Sequence, residues 1–363
     1  ALPDIQSFPM LFYRKDILAD LGLTVPQTWD DVFRMLPELQ NHHLEFGMAP
    51  SIYTYLQFLY QKGVSLYKED GVAVNLDSEA AIATFIEMTN LYTQSGFPIE
   101  FNFINRFRMG EMPLGISNYG DYNTLSVFAP ELRGAWGIAP VPGTRQPDGT
   151  INRTTVTAAN VFVVNQGALE GTPTGAMLTP QGTTGSIIMA KSDKKEQAWE
   201  FLKWWTRTDT QVRFGREMEA LLGPAARYAT ANVEAMQQLP WRAEEREALL
   251  LQWDWIEGIP PVIGAYYVTR QFDWLFRAVV LQNEPVRESV LDYTREINRE
   301  LKRKRLELGF ETSVEELDPR WIELFWENYT HVYRLDWDEV PRTKYQELLE
   351  GYGIALGDAR EGF

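Results

Sequence analysis

Apolar positions along this chain recur in two rhythms. From Asp77 to Gly96 they step by three and four, which puts Ile82, Phe85, Ile86, Thr89 and Tyr92 on one helical face. Asp77 or Ser78 stands where an N-cap belongs, and Gly96 where the helix must stop. The same rhythm predicts a short helix from Asp16 to Leu21, closed by Gly22. A second follows Thr28, with Thr28 as its cap and Asp30 and Asp31 at the positive end of its dipole. A third spans Tyr53 to Lys62 and ends at Gly63. Further on, "KKEQAWEFLKWWTR" from Lys194 is amphipathic and directs Trp199, Trp204 and Trp205 to a core. Ala243 to Trp255 repeats the pattern. The last long helix, Val286 to Leu308, turns Val290, Tyr293, Ile297, Leu301 and Leu308 inward, carries cations in its final turns and is closed by Gly309.

The second rhythm is that of strands. Residues 1–13 read as an extended segment, because Pro3 and Pro9 exclude a helix interior. "MPLGISNYGDYN" from Met112 and "AWGIAPVPG" from Ala135 read as short apolar strands followed by loops. "NVFVV" from Asn160 and "GSIIMA" from Gly185 are β-branched runs of strand length. Strands and helices alternate, so the fold class is α/β. The chain has 363 residues, which suggests about two domains, and shows no internal repeat.

Charge and composition narrow the chemistry. Against 34 Lys and Arg stand 50 Asp and Glu, a net charge of -16. That argues against nucleic acid and against an anionic membrane surface as partner. Without cysteine there is no disulfide, no thiolate metal site and no thiol catalysis. The histidines are His42, His43 and His331, and an adjacent pair is not a ligand pair at helical spacing. No nucleophile elbow, phosphate loop, dinucleotide loop or zinc-helix motif is found. Asp30, Asp77 and Asp193 all read as helix caps. We therefore assign no catalytic residue, no metal and no cofactor, and expect no enzyme. Phe, Trp and Tyr make up 13% of the chain, enough for core packing or for a surface on which sugar rings stack.

"LFYRKDILADLGLTVPQTWDD", Leu11 to Asp31, resembles a segment of the bacterial extracellular solute-binding proteins of the maltose-binding type, in which a crossing strand precedes the Tyr-x-Lys-Asp and Pro-x-Thr-Trp-Asp helices. Four further stretches agree, in the expected order. "RMGEMPLGISNYGDYN" resembles the family's strand and aromatic ligand loop, and "PELRGAWGIAPVPG" its next strand. "SDKKEQAWEFLKWWTRTDTQ" is similar to the Ala-Trp-x-Phe-Leu-Lys-Trp helix. Asn283 to Ser289 with "LDYTREINRELKRKR" resembles the closing helix. The likeness covers residues 1–310.

The resemblance implies a type II periplasmic-binding-protein-like fold, two lobes joined by a hinge, that closes on an oligosaccharide or other small solute and hands it to the permease of an ABC importer outside the cytoplasmic membrane. It implies residues 1–13 as a hinge crossing strand, 14–150 as the first part of the C-terminal lobe, 151–240 as part of the N-terminal lobe, and 241–310 as closing helices of the C-terminal lobe. Residues 311–363 extend past the family's usual end and are acidic and aromatic, with Trp321, Trp326, Tyr329, Tyr333 and Trp337. A whole member begins earlier, with a lipoprotein leader and the first strands of the N-terminal lobe. That lobe is expected to be incomplete here, with the missing N-terminal segment a possible partner. The runner-up reading is a partner-binding or split module whose cleft needs that segment. Expected ligand-binding residues are Tyr53 at a helix start, Tyr119, Asp121 and Tyr122 after a strand end, and Tyr266, Tyr267 and Arg270 in "GAYYVTRQ" after "GIPP". Arg227 and Tyr228 form a weaker candidate pair. Arg270 would suit a carboxylated sugar or pair with an acid.

Overall fold

The computed structural model describes residues 2–68, 71–157, 159–160, 183–189 and 191–308. Two strands open the chain, β1 (Leu2–Gln6) and β2 (Pro9–Arg14), then helices α1 (Lys15–Asp20) and α2 (Trp29–Asn41). Next come β3 (Phe46–Gly47), α3 (Ile52–Gln61), the hairpin of β4 (Tyr67–Lys68) and β5 (Ala73–Val74), α4 (Glu79–Thr93) and α5 (Phe103–Met109). Then follow β6 (Leu114–Asn118), α6 (Gly120–Phe128), β7 (Trp136–Ala139), the pair β8 (Thr144–Arg145) and β9 (Ile151–Asn152), β10 (Thr155–Thr157), β11 (Ala159–Asn160) and β12 (Thr183–Ser186). Last are α7 (Lys195–Trp205), α8 (Thr208–Leu222), α9 (Val233–Gln238), α10 (Ala243–Trp253), β13 (Ile256–Gly258), α11 (Ala265–Leu281) and α12 (Val286–Glu307).

The central sheet has the order β3-β6-β2-β7, with β2 antiparallel to both neighbours and β3 parallel to β6. Its two faces follow from the two-residue period of a strand. Leu11 points into a core shared with α2, α3, α4, α11 and α12, while Phe8, Met10 and Phe12 point into a second core with Tyr122, Trp136, Trp241 and Leu249. A smaller sheet, β1-β12-β11, lies beyond the ends of β2 and β10, and β10 pairs in parallel with β13. The chain thus passes between the sheets at Ser7 and again between β10 and β11. Thr157 Oγ1 donates to the carbonyl of Ser7 at 2.7 Å, tying the two passages together.

Local signals hold in several places. Thr28 and Asp31 form a reciprocal capping box. Ser78 caps α4, and Gly22 and Gly63 adopt positive φ at +64° and +71°.

Tertiary packing overrode other expectations. Residues 1–13 are two strands rather than one, broken where the chain changes sheets. "NYGDYN" is not a loop: it enters α6, whose Tyr122 and Leu125 drop into the second core. The strand expected over Gly185 to Ala190 stops at Ser186. Ile86 and Leu308 are exposed rather than inward. So are Trp199 and Trp204, at 45% and 51% exposure, with Leu202 the buried residue of α7. Trp204 sits two residues beyond Leu202, about 200° around the helix, and so faces away from it. Trp205 does pack, edge-on to Phe214 at 5.0 Å. Met236, Leu239, Trp241 and Ala248 share the second core. "NVFVV" beyond Asn160, Gly309 and residues 311–363 lie outside the described residues.

Candidate functional site

The seven expected ligand residues fall into two groups on different elements. β6 delivers Tyr119 directly into α6, and the ring is 2% exposed. It packs 4.8 Å from Phe8 and 6.2 Å from Trp241, and its hydroxyl donates to the carbonyl of Gln6. The expectation of a ring facing an open cleft is corrected: Tyr119 belongs to the second core, and burial raises its phenol pKa. Tyr122 is buried as well. It lies 4.9 Å from Trp136, and its hydroxyl donates to Glu245 Oε1 at 2.7 Å. Burial, with that carboxylate, pushes its pKa up to about 12. Asp121 is half-buried and accepts from Ser117 Oγ; desolvation raises its carboxyl while the serine bond opposes the shift.

Arg227 joins this group from the chain after α8. Its guanidinium lies 4.5 Å over the Trp241 ring and forks onto Glu219 at 2.6 and 2.9 Å. Tyr228 donates to the carbonyl of Asp4 at 3.2 Å. Every one of these polar groups is thus held by another part of the protein.

The second group lies across the sheet. Ser51 caps α3, accepting from the Thr54 amide at 3.2 Å, and Tyr53 sits half-buried in the first turn. Thr155 Oγ1 donates to Gln57 at 3.0 Å, and Gln61 donates to the Thr154 carbonyl at 3.1 Å. α3 therefore runs opposite to β10 and begins at the end where Thr157 meets Ser7. Burial, then the nearby Asp273 carboxylate of α11, raises the Tyr53 phenol. On α11, Tyr266 and Tyr267 donate to Glu300 and Glu296 of α12 at 2.8 and 2.9 Å. Arg270 stacks 4.8 Å over Tyr267 and 5.6 Å from Trp274.

Between α3, the β4–β5 hairpin and the loop after β13 opens a cavity of about 540 Å³. Tyr60, Tyr67, Glu257, Pro260 and Val262 line it. It starts beside Gly258, the partner of Thr157 in the β10–β13 pair, and so reaches the place where the chain changes sheets. Gly71 forms part of its wall at φ +94°, and a Cβ there would lie 2.5 Å from Val262 Cγ1, so only glycine fits. Desolvation lifts Tyr60 and Tyr67 to about 12, with Glu257 adding to the shift on Tyr60. The Tyr67 hydroxyl is buried without a hydrogen-bond partner. Sequence reasoning missed this set. Tyr53 and Tyr60 are seven residues apart, two turns along one face, and that spacing was the available signal. Among the described residues, no group of three His, Cys, Asp or Glu could hold a metal ion, and no helix is long and apolar enough to cross a membrane.

The sequence model of the bacterial extracellular solute-binding proteins matches residues 1–212. The chain belongs to this family. No curated protein sequence matches it. Among solved structures it is similar to the sugar-binding protein MalE of Xanthomonas citri, at 18% identity over 85% of this chain and 72% of that one, with a TM-score of 0.64. It is also similar to maltose-bound MalE3 of T. maritima, at 19% identity, 82% and 72% coverage and a TM-score of 0.58. UgpB of Mycobacterium tuberculosis in complex with glycerophosphocholine follows at 18% identity, 84% and 71% coverage and a TM-score of 0.57. The fold of this solute-binding protein is accordingly that of the type II periplasmic binding proteins. Its strand-to-strand passages, at Ser7 and between β10 and β11, link two of its sheets.

Proposed function

We propose that this solute-binding protein takes up a carbohydrate beside the crossing segments and delivers it to the permease of an ABC importer outside the cytoplasmic membrane. The observation that carries the reading is the cavity of Tyr60, Tyr67 and Glu257, which opens where β10 and β13 end. Aromatic faces suit the apolar CH face of a sugar ring, and the Glu257 carboxylate suits its hydroxyls. The sugar-binding and maltose-bound neighbours support the substrate class. Closure would turn on the passage at Ser7, with the Thr157 to Ser7 hydrogen bond moving as part of the hinge. Tyr53, Tyr266, Tyr267 and Arg270 are not among the residues that line the cavity.

Titration calorimetry against a panel of neutral and charged oligosaccharides tests this. A saturable heat is expected for at least one, and Tyr60→Ala with Tyr67→Ala should weaken it at least tenfold. Binding that survives this double substitution in a folded protein would move the site elsewhere. No binding to any member of the panel would overturn the carbohydrate reading.

A further inference from the structure

The cavity has a one-sided charge. Among the described residues, Glu257 is its one charged lining residue, and neither lysine nor arginine lines it. The cations nearest in the chain are committed elsewhere: Lys62 to Glu87, and Lys68 to Asp77 at 2.6 Å. The walls add two tyrosine rings and the proline pair Pro260–Pro261. One of the two phenols, that of Tyr67, has a desolvated hydroxyl with no partner. Aromatic faces attract a cation through their quadrupole, and a carboxylate with no cation partner does so by charge. An anionic ligand would find no counter-charge among the described lining residues; a guanidinium near the wall, that of Arg305, donates to the Val72 carbonyl at 2.6 Å. Glu257 is exposed, so its carboxylate stays free to meet a cationic group on a ligand.

We infer that the cavity selects a sugar bearing a cationic amino group, with the ammonium held between Glu257 and the rings of Tyr60 and Tyr67. This rests on the carbohydrate reading above and narrows it to basic sugars. The protein's net charge of -16 works in the same direction, raising the local concentration of a cationic ligand at low ionic strength. Gly71 fits the same account: any side chain there would run into Val262 and narrow the pocket.

The discriminating experiment compares the glucosamine trisaccharide with its fully N-acetylated counterpart. The two share ring, linkage and length and differ in the ammonium. With the full chain at low salt below pH 7, the amino form should bind about three- to thirtyfold more tightly. That ratio should fall toward one when the pH is raised above the amine pKa, and also in Glu257→Gln. The ratio is the readout, so a general loss of affinity in the variant does not obscure it, and the pH arm needs no variant at all. Equal binding of the two forms, a preference for the acetylated form, or a preference that survives both high pH and Glu257→Gln overturns the inference. If a neutral oligosaccharide of the wider panel binds while neither glucosamine trisaccharide does, this inference alone falls. If nothing in the panel binds, the carbohydrate reading falls with it.

Discussion

Tyr122 and Glu245 meet inside the second core at 2.7 Å, joining α6 to α10. The carboxylate is buried; the Arg242 guanidinium lies 3.8 Å away, and Arg227 and Lys15 act on it at longer range. The phenol shares this carboxylate with the Arg242 amide, which donates to its other oxygen at 3.0 Å. Tyr122→Phe should cost about 1.5–3 kcal/mol, the range for a hydrogen bond to a charged group. Denaturant unfolding of the two proteins measures it. Ligand affinity of the folded variant should be unchanged, and a selective loss of affinity would return Tyr122 to the site.

Tyr119 and Trp204 should behave in the reverse of what their motifs suggest. Tyr119→Ala removes a ring packed against Phe8 and Trp241 and should cost about 3–5 kcal/mol through the cavity left behind. Trp204→Ala removes a half-exposed ring and should cost less than about 1 kcal/mol. Melting curves of the two variants decide it; comparable losses would contradict these placements.

Arg227 and Glu219 form a forked ion pair whose side chains are only 10% and 15% exposed. Replacing one partner leaves the other charged and desolvated. Glu219→Gln should therefore destabilise by about 3 kcal/mol, the low end for a broken buried pair. Replacing both with apolar residues should recover much of that loss. A double-mutant cycle in urea is the measurement, and simple additivity would show that the pair is not coupled.

Buried phenols set an alkaline limit. Tyr60, Tyr67 and Tyr122 titrate near 12 in the folded protein, against about 10 for a free phenol. The folded state holds these protons more tightly than the unfolded one. Their contribution is therefore complete below pH 10 and is lost as the pH rises toward 12. Melting temperature should fall steadily over that window. Absorbance near 295 nm should show two steps, exposed phenols ionising at about pH 10 and the buried ones only together with unfolding. Full tyrosine ionisation near pH 10 with the fold intact would contradict the burial of these rings.

How far the chain could be read from its sequence follows from the range of the forces involved. The caps at Thr28 and Ser78, the left-handed glycines at 22 and 63, and α12 were legible because each depends on neighbours within one turn. Family membership was legible too, because its motifs are local and ordered. The direction of each aromatic ring was not. Periodicity says that a residue lies on some face, but not what that face meets. Tyr119 and Trp204 exchanged their expected roles because Phe8 and Trp241, 111 and 122 residues away, close over the first, and because the buried side of α7 is set by Leu202. The cavity was hidden for the same reason. Tyr60, Tyr67 and Glu257 are brought together only when β13 pairs with β10 and Val262 comes to rest against Gly71. Short-range geometry is written in the sequence, whereas enclosure depends on distant elements and is decided only when they pack.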